Sequence, residues 1–290
     1  AKRIISWLSN HQLTYEDSNL KYRSTFDHII QKQTNHLLSE IKNSKEVENK
    51  MIGCAAIILT GLAYKNKKQY LDGGLNFLKT IIKSSIDSQG FPKSRNIRQL
   101  IFYLKYLIIV REWFKESQNL IPEYVDEAIY NLGSSYAFIW QNIKQDIFFN
   151  GNFSSENKEF DQYLKRFGYT FKNEINELGG YTILKNKRII LAADIGSSPN
   201  KLFSNNYQAG ALSFEIFSNN KKLISNAGYF LDKNNKLNKL SKSTSLHSVL
   251  TIEDYSSCNF KKYQSNLIIN KGLKVSKKNI VFENNYWKIS

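Results

Sequence analysis

Hydrophobic residues in the first half of the chain recur every three or four positions, the spacing that places side chains on one face of an α-helix. Five such runs cover residues 21–42, 47–64, 69–86, 97–114 and 122–143. The runs at 47–64 and 97–114 are apolar nearly all round, so we expect these two helices to be buried on most sides. Helices joined by short connections predict a helical bundle or a toroid of helix pairs.

The pattern changes after about residue 144. Residues 146–150 are typical of a short strand before a turn, and from Gly179 onward hydrophobic and polar residues alternate with a period near two. Turns are predicted at 185–187, Asn219-Asn220 and Asn234-Asn235. Asn219-Asn220 suits a hairpin because Asn tolerates positive φ. Strands are predicted within 206–226 and at 248–253, 265–270, 273–276 and 279–283. Many strands and few helices predict an antiparallel β-sandwich.

Helices followed by strands predict an α+β protein with two domains. We assign residues 1–145 to a helical domain, 146–178 to a linker and 179–290 to the β-sandwich. The first residues resemble the middle of a helical domain, and the last resemble a strand without a terminator. We therefore expect a fragment, with a truncated helical domain and an incomplete sandwich.

The chain is basic, with 41 Lys and Arg residues against 25 Asp and Glu and a net charge of +16. Such a surface favours polyanions such as acidic polysaccharide, anionic lipid or nucleic acid, although a generally solvated basic surface is the alternative. The sequence carries no motif typical of nucleic-acid binding, so we expect no nucleic-acid partner. No apolar run is long enough to span a membrane.

Three stretches combine polar side chains in a distinctive order. The main one runs from Asn206 through Gln208 to Glu215, continues after a turn to Asn226-Ala227-Gly228, and is followed by Leu246-His247-Ser248. Taken as β-structure, it places Gln208, Asn226 and His247 on adjacent strands. The others are the loop 89–96, which contains Arg95, and the segment 146–151.

These stretches resemble the heparinase II/III family, and most closely an alphaproteobacterial-type subgroup in which several motif residues are replaced. The resemblance implies an incomplete α/α toroid followed by an antiparallel β-sandwich. It implies a polysaccharide lyase that cleaves an acidic glycan, such as a glycosaminoglycan or alginate, in the periplasm or cell envelope of a bacterium. The partner it implies is an acidic polysaccharide or oligosaccharide.

The reaction implied by the resemblance is β-elimination, which needs a base, an acid and a group that neutralises the uronate carboxylate. Asn206 stands where the family has a catalytic His, and it can hydrogen-bond a carboxylate but cannot transfer protons. Tyr207 is the candidate acid or base if a cation lowers its pKa; the alternative is a packing residue. Arg95 matches the family's Arg and suits a carboxylate.

The candidate catalytic residues are therefore Tyr207, Arg95, His247 and Asn206, and the candidate substrate-binding residues are Arg95, Asn96 and Gln99. Ser94 and Gln99 stand where the family has Glu and Tyr.

The resemblance also implies a metal site at Gln208, Asn226 and His247. Two of these are neutral amides, which are poor zinc ligands compared with imidazole and carboxylate. We therefore predict no cofactor and no tightly bound zinc, and expect a buried hydrogen-bonded cluster to take the place of the metal. The replaced residues leave two functions open: an acidic-glycan lyase, or a catalytically degenerate protein that binds acidic glycan in cell-envelope metabolism.

Overall fold

The computed structural model describes residues 1–152, 157–230, 236–264, 266–283 and 286–290. The chain forms two compact units. The first comprises Ala1–Ile86 and Phe102–Tyr130, and the second comprises Asp87–Ile101 and Asn131–Ser290.

The helices of the first half are α1 (Lys2–Ser9), α2 (Leu20–Glu40), α3 (Val47–Ala63), α4 (Lys68–Ser85), α5 (Ile97–Glu116) and α6 (Glu123–Ile143). The five predicted helices are confirmed as α2 to α6, each with ends within two residues of the prediction. A helical region followed by antiparallel sheets confirms the predicted class in outline. The toroid remains a prediction.

In the first unit, α3 is buried on all sides from Met51 to Leu62, as its uninterrupted apolar sequence predicts. Two glycines allow α3 and α4 to pack closely. A Cβ on Gly61 would lie 2.4 Å from the backbone nitrogen of Leu71, and one on Gly74 would lie 2.6 Å from the side chain of Ile58. Larger residues at these positions would separate the helices.

The second unit contains α7 (Asn157–Arg166), α8 (Lys236–Leu240) and antiparallel strands. Its main sheet has the order β1 (Glu177–Leu178), β2 (Tyr181–Lys185), β3 (Ile189–Asp194), β4 (Phe214–Ser218) and β5 (Lys221–Ile224). Two separate pairs follow: β6 (Asn259–Tyr263) with β7 (Asn266–Lys271), and β8 (Ile280–Phe282) with β9 (Trp287–Ile289). The sandwich remains a prediction.

The turns at 185–187 and Asn219-Asn220 are confirmed, the latter with φ of 48° and 61°. The predicted turn at Asn234-Asn235 lies outside the described residues. The predicted strands at 265–270 and 279–283 correspond to β7 and β8, although Ser265 lies outside the described residues.

The predicted strands at 146–150, 248–253 and 273–276 are wrong. In each segment, side chains bind backbone N–H groups that a neighbouring strand would otherwise bind. Glu215 Oε1 accepts from Phe148, Asn226 Oδ1 from Ser248, and Ser198 Oγ from Leu273. These segments therefore satisfy backbone groups through side chains and do not join a sheet.

Residues 146–178, predicted as a linker, contain α7 and the buried side chains of Phe149, Phe160 and Leu164. Among the described residues, no helix is long and apolar enough to cross a membrane.

Candidate functional site

Arg95 precedes α5, and only 7% of the residue is exposed. Four backbone carbonyl oxygens accept hydrogen bonds from its guanidinium group, those of Gly179, Gly180, Gly196 and Ser197. The remaining N–H donates to Asp194 Oδ1, 2.6 Å from Arg95 Nη2. A guanidinium has five N–H donors, so all five are used inside the protein. Direct binding of a substrate carboxylate by Arg95 stays a prediction that this geometry does not favour.

Asp194 ends β3 and is fully buried beside Arg95. Its Oδ2 accepts a hydrogen bond from Asn150 Nδ2 at 2.9 Å, and its Oδ1 accepts one from the backbone of Gly196. Burial acts to lower the pKa of Arg95, but the Asp194 carboxylate overcomes it and raises that pKa above its ordinary value. Arg95 and Asp194 are therefore a buried, charged, fully bonded pair.

The ring of Tyr181 completes the surroundings of Arg95. Its centroid lies 4.8 Å from Arg95 Cζ, and its hydroxyl donates to the carbonyl oxygen of Arg95 at 2.5 Å. The same hydroxyl accepts a hydrogen bond from Asn150 Nδ2 at 2.6 Å. Tyr181 is thus tied to both the loop 89–96 and the segment 146–151, the two sequence stretches of the helical half that carried the resemblance.

Asn96 and Asn206 lie on either side of Gly151, and we call them the asparagine pair. Gly151 has φ of 86°, and a Cβ there would lie 2.7 Å from Asn206 Cβ and 2.8 Å from Asn96 Nδ2. Asn96 is buried and its Oδ1 accepts from the backbone of Arg98, whereas Asn206 is half-buried. The fold therefore brings two predicted site residues together, 110 positions apart in the sequence.

Gln99, the remaining predicted substrate-binding residue, is half-buried in the first turn of α5. Its Oε1 accepts a hydrogen bond from Ser94 Oγ at 2.5 Å. This contact links the two positions where the resemblance places Glu and Tyr.

Tyr207 is 1% exposed and packs in an apolar cluster with Ala209, Cys258 and Ile269. Its hydroxyl accepts a hydrogen bond from Ser198 Oγ at 3.4 Å. Burial raises the pKa of Tyr207, and Asp194 raises it further, so the hydroxyl keeps its proton at neutral pH. Its role as acid or base stays a prediction, and the geometry favours the packing role.

Lys242 supports the turn that carries Asn206. Its Nζ donates to the backbone carbonyls of Asn205 and Tyr207, both at 2.8 Å, and lies 4.8 Å from the ring centroid of Phe260. Only 7% of this lysine is exposed, and burial lowers its pKa to about 7. A buried ammonium thus holds the backbone on both sides of Asn206.

Gln208 is fully buried and bonded through both ends of its amide. Its Oε1 accepts from the backbone N–H of Gly151 at 2.9 Å, and its Nε2 donates to the carbonyls of Gly228 and Ser241 at 2.9 and 3.0 Å. Gln208 therefore holds Gly151 in place between the two asparagines.

His247 is buried, and its Nε2 lies 3.1 Å from the same Ser241 carbonyl oxygen. Because a carbonyl only accepts, Nε2 carries the proton and Nδ1 carries a lone pair. Burial lowers the pKa of His247, although Ser241 and Asp194 act in the opposite direction. His247 is a neutral brace in this geometry, and its catalytic role stays a prediction.

Asn226 is joined to the same region through Glu215. Glu215 Oε1 accepts from the backbone of Asn226 and Phe148 at 2.9 and 3.2 Å, and Lys222 Nζ lies 2.9 Å from its Oε2. Burial raises the pKa of Glu215 despite the opposing effect of Lys222.

Gln208, Asn226 and His247 do not lie on strands, which corrects the prediction of adjacent strands. Gln208 precedes β4, Asn226 follows β5, and His247 follows a short 3₁₀ helix at Thr244–Leu246. Gln208 and His247 lie in loops, and both contact the same backbone carbonyl oxygen, that of Ser241.

The residues present do not fit the zinc ion that the resemblance implies. The amide oxygens of Gln208 and Asn226 already accept hydrogen bonds from backbone N–H groups. Nδ1 of His247 is buried and has no hydrogen-bond partner among the described residues. In the part of the chain that the structure describes, no group of three His, Cys, Asp or Glu residues could hold a metal. The absence of a cofactor itself stays a prediction.

Sequence reasoning missed Asp194, Asn150 and Lys242. Asn150 lies in the segment 146–151, which the sequence singled out as a strand before a turn and for its resemblance, but not as part of the site. Asp194 ends a mostly apolar strand, and a charged residue after Leu191-Ala192-Ala193 was the available signal.

Comparison with known proteins supports the fold. Residues 177–287 match the family model described as heparinase II/III-like, C-terminal. No curated protein matches the sequence.

Solved structures with the same fold are about twice as long as this chain. A heparinase III crystal structure is 16% identical to this chain with a TM-score of 0.68, and the match covers 92% of this chain and 49% of the heparinase III chain. The heparan sulfate lyase HepC from Pedobacter heparinus is 13% identical with a TM-score of 0.70, covering 92% and 48%. A heparinase III with methylated lysines is 14% identical with a TM-score of 0.73, covering 96% and 49%.

Proposed function

Because residues 177–287 match the heparinase II/III-like C-terminal family model, we propose that the protein takes an acidic, uronate-containing polysaccharide as its substrate or ligand. The observation that carries this proposal is the asparagine pair beside Gly151, since side-chain amides donate hydrogen bonds that suit a carboxylate. The net charge of +16 supports an anionic partner. An α/α toroid joined to a β-sandwich, and a location in a bacterial periplasm or envelope, belong to the same proposal.

The first candidate function is cleavage by β-elimination. Asn206, the half-buried member of the asparagine pair, would bind the uronate carboxylate and stabilise the charge that develops when the C5 proton leaves. Water accepts the C5 proton, the electron pair of the broken C–H bond forms the new C4–C5 double bond, and the C4–O bond breaks. The leaving oxygen takes up a proton, which water afterwards returns to the donor. Tyr207, next to Asn206 in the sequence, keeps its proton and is the candidate donor. Cleavage through Tyr207 therefore requires a movement that exposes this buried hydroxyl.

The second candidate is binding of the same glycan without cleavage. It is favoured by the amide of Asn206 at the position of the family's His, and by the internal bonds that occupy the five N–H donors of Arg95. His247 is likewise bound to the backbone. In this function the site recognises the carboxylate, and its neutral side chains transfer no proton.

To test the two candidates, the protein is incubated with heparan sulfate, hyaluronan and alginate, and both binding and the ultraviolet absorbance of the unsaturated product are measured. Unsaturated product that is lost in Asn206→Ala supports cleavage, and binding without product supports the second candidate. Asn205→Ala is the matched control for Asn206→Ala, because Asn205 is an exposed asparagine of the same turn. Loss of binding in neither variant, or in both equally, would count against the asparagine pair.

A further inference from the structure

A basic concavity of about 300 Å³ lies in the second unit, away from the asparagine pair. Its cations are Lys144, Lys185, Lys187 and Arg188, all exposed. Among the residues that the structure describes, neither Asp nor Glu lines it. We use the name basic concavity for the surface around these four residues.

Three elements supply the basic concavity. The β2–β3 turn carries Lys185, Lys187 and Arg188, the β4–β5 turn carries Asn219 and Asn220, and Lys144 follows the end of α6.

The elements are fixed relative to one another within this unit. The backbone N–H of Asn219 donates to the carbonyl of Arg188 at 3.2 Å, and the Gln145 amide donates to the carbonyl of Asn220. Lys144 has φ of 54°, and its backbone N–H donates to the carbonyl oxygen of Trp140 at 2.8 Å. The four cations therefore project from a bonded framework.

These charges lack acidic partners within the described chain. None of the four cations forms an ion pair with a described carboxylate. The carbonyl end of α6 contributes roughly half a negative charge, which is small against four positive charges. Like charges gathered in one concave surface raise the local concentration of anions.

The basic concavity is separate from the Arg95 region. Both use the β2–β3 hairpin, but Lys185 pairs with Ile190 near the turn, whereas Tyr181 pairs with Asp194 at the opposite end. Four residues of strand span roughly 13 Å. A ligand at one end therefore does not occupy the other.

We propose that the basic concavity is a second anion-binding site, which takes the sulfate or carboxylate groups of an acidic glycan. The glycan class rests on the proposed function, whereas the preference for an anion rests on the concavity itself. The guanidinium of Arg188 suits both groups, because its planar fork can bond two oxygens. A single-stranded nucleic acid is less suited, since Phe217, the aromatic residue of the lining, is buried and offers no stacking face.

The test compares two triple variants of equal charge change. Lys185→Gln with Lys187→Gln and Arg188→Gln neutralises the concavity. Lys261→Gln with Lys262→Gln and Lys271→Gln neutralises exposed positions on β6 and β7. Calorimetric titration with a heparin tetrasaccharide should show about tenfold weaker binding for the first variant and less than about twofold for the second.

Equal weakening in both variants would overturn the proposal, because it would indicate general attraction to a basic surface. Unchanged binding in the first variant, or tighter binding of single-stranded DNA than of the tetrasaccharide at this surface, would also overturn it. A desulfated tetrasaccharide distinguishes sulfate from carboxylate as the bound group.

The outcome is separable from that of the proposed function. Tetrasaccharide binding that needs the basic concavity but not Asn206 supports the second site and counts against the asparagine pair. Binding that needs Asn206 but not the concavity overturns the second site alone. Absence of tetrasaccharide binding overturns it as well, and the polymer assays then decide the proposed function.

Discussion

Arg95 and Asp194, 99 positions apart in the sequence, form a buried ion pair with 2.6 Å between Nη2 and Oδ1. The pair joins the loop before α5 to the end of β3. Since the guanidinium also binds four backbone carbonyls, Arg95 and Asp194 organise the backbone at residues 179–180 and 196–197 next to Arg95.

Replacing Asp194 with Asn should lower the free energy of unfolding by about 3–5 kcal/mol, because it leaves a buried guanidinium without its counter-charge. Urea denaturation provides the measurement. Asp126→Asn is the control, since Asp126 pairs with Arg111 while its side chain is 47% exposed, and it should cost less than about 1 kcal/mol. Similar losses in the two variants would mean that the buried pair contributes no more than a surface pair.

Gly151→Ala should destabilise the protein and weaken glycan binding. Its φ of 86° disfavours any side chain, and the new Cβ would overlap Asn206 and Asn96. Gly168→Ala isolates the first effect, because Gly168 has φ of 73° but no atom within 4 Å of its added Cβ. We expect Gly168→Ala to lower the free energy of unfolding by about 1 kcal/mol. Gly151→Ala should lower it further and also weaken glycan binding. Equal effects would show that Gly151 is needed for its backbone alone.

The stability of the protein should rise with pH between about 7 and 10, through Lys242. Burial lowers its folded pKa to about 7 from an ordinary value of 10.5. In this window the unfolded chain binds the proton more strongly, so the free energy of unfolding increases as pH rises. Lys242→Met should reduce this slope, as measured by urea denaturation across the pH series. Lys239→Met is the control, because Lys239 is exposed on α8, and it should leave the slope unchanged. The prediction would be contradicted if Lys242→Met kept the slope of the unsubstituted protein.

A chelator should leave the melting temperature unchanged, because the amides of Gln208 and Asn226 are already bonded to backbone N–H groups. The measurement is thermal unfolding with and without EDTA, followed by addition of zinc. A drop in melting temperature that zinc reverses would show that a metal stabilises the fold.

The helices were predictable because their signal is local. The apolar run of α3, for example, indicates both the helix and its burial on all sides. The strand predictions at 248–253 and 273–276 failed because serine and asparagine side chains bind the backbone there, and alternation of polar and apolar residues does not reveal such partners.

The site was predictable in part. The sequence singled out Gln208 and His247, and the structure brings them together, but through the carbonyl of Ser241 and not through strand pairing or a metal. Asn96 and Asn206 were named separately, and their approach depends on Gly151, whose missing side chain leaves room for both.

The sequence by itself determined the order of helices and strands, the basic charge and the family resemblance, because these depend on local periodicity, composition and short motifs. Only the tertiary structure decided that Arg95 is saturated by internal bonds, that Tyr207 is buried, and that a basic concavity lies at the turn end of the β2–β3 hairpin. Hydrogen-bond saturation and burial depend on which distant segments meet, and the residue type at one position does not specify its neighbours in space.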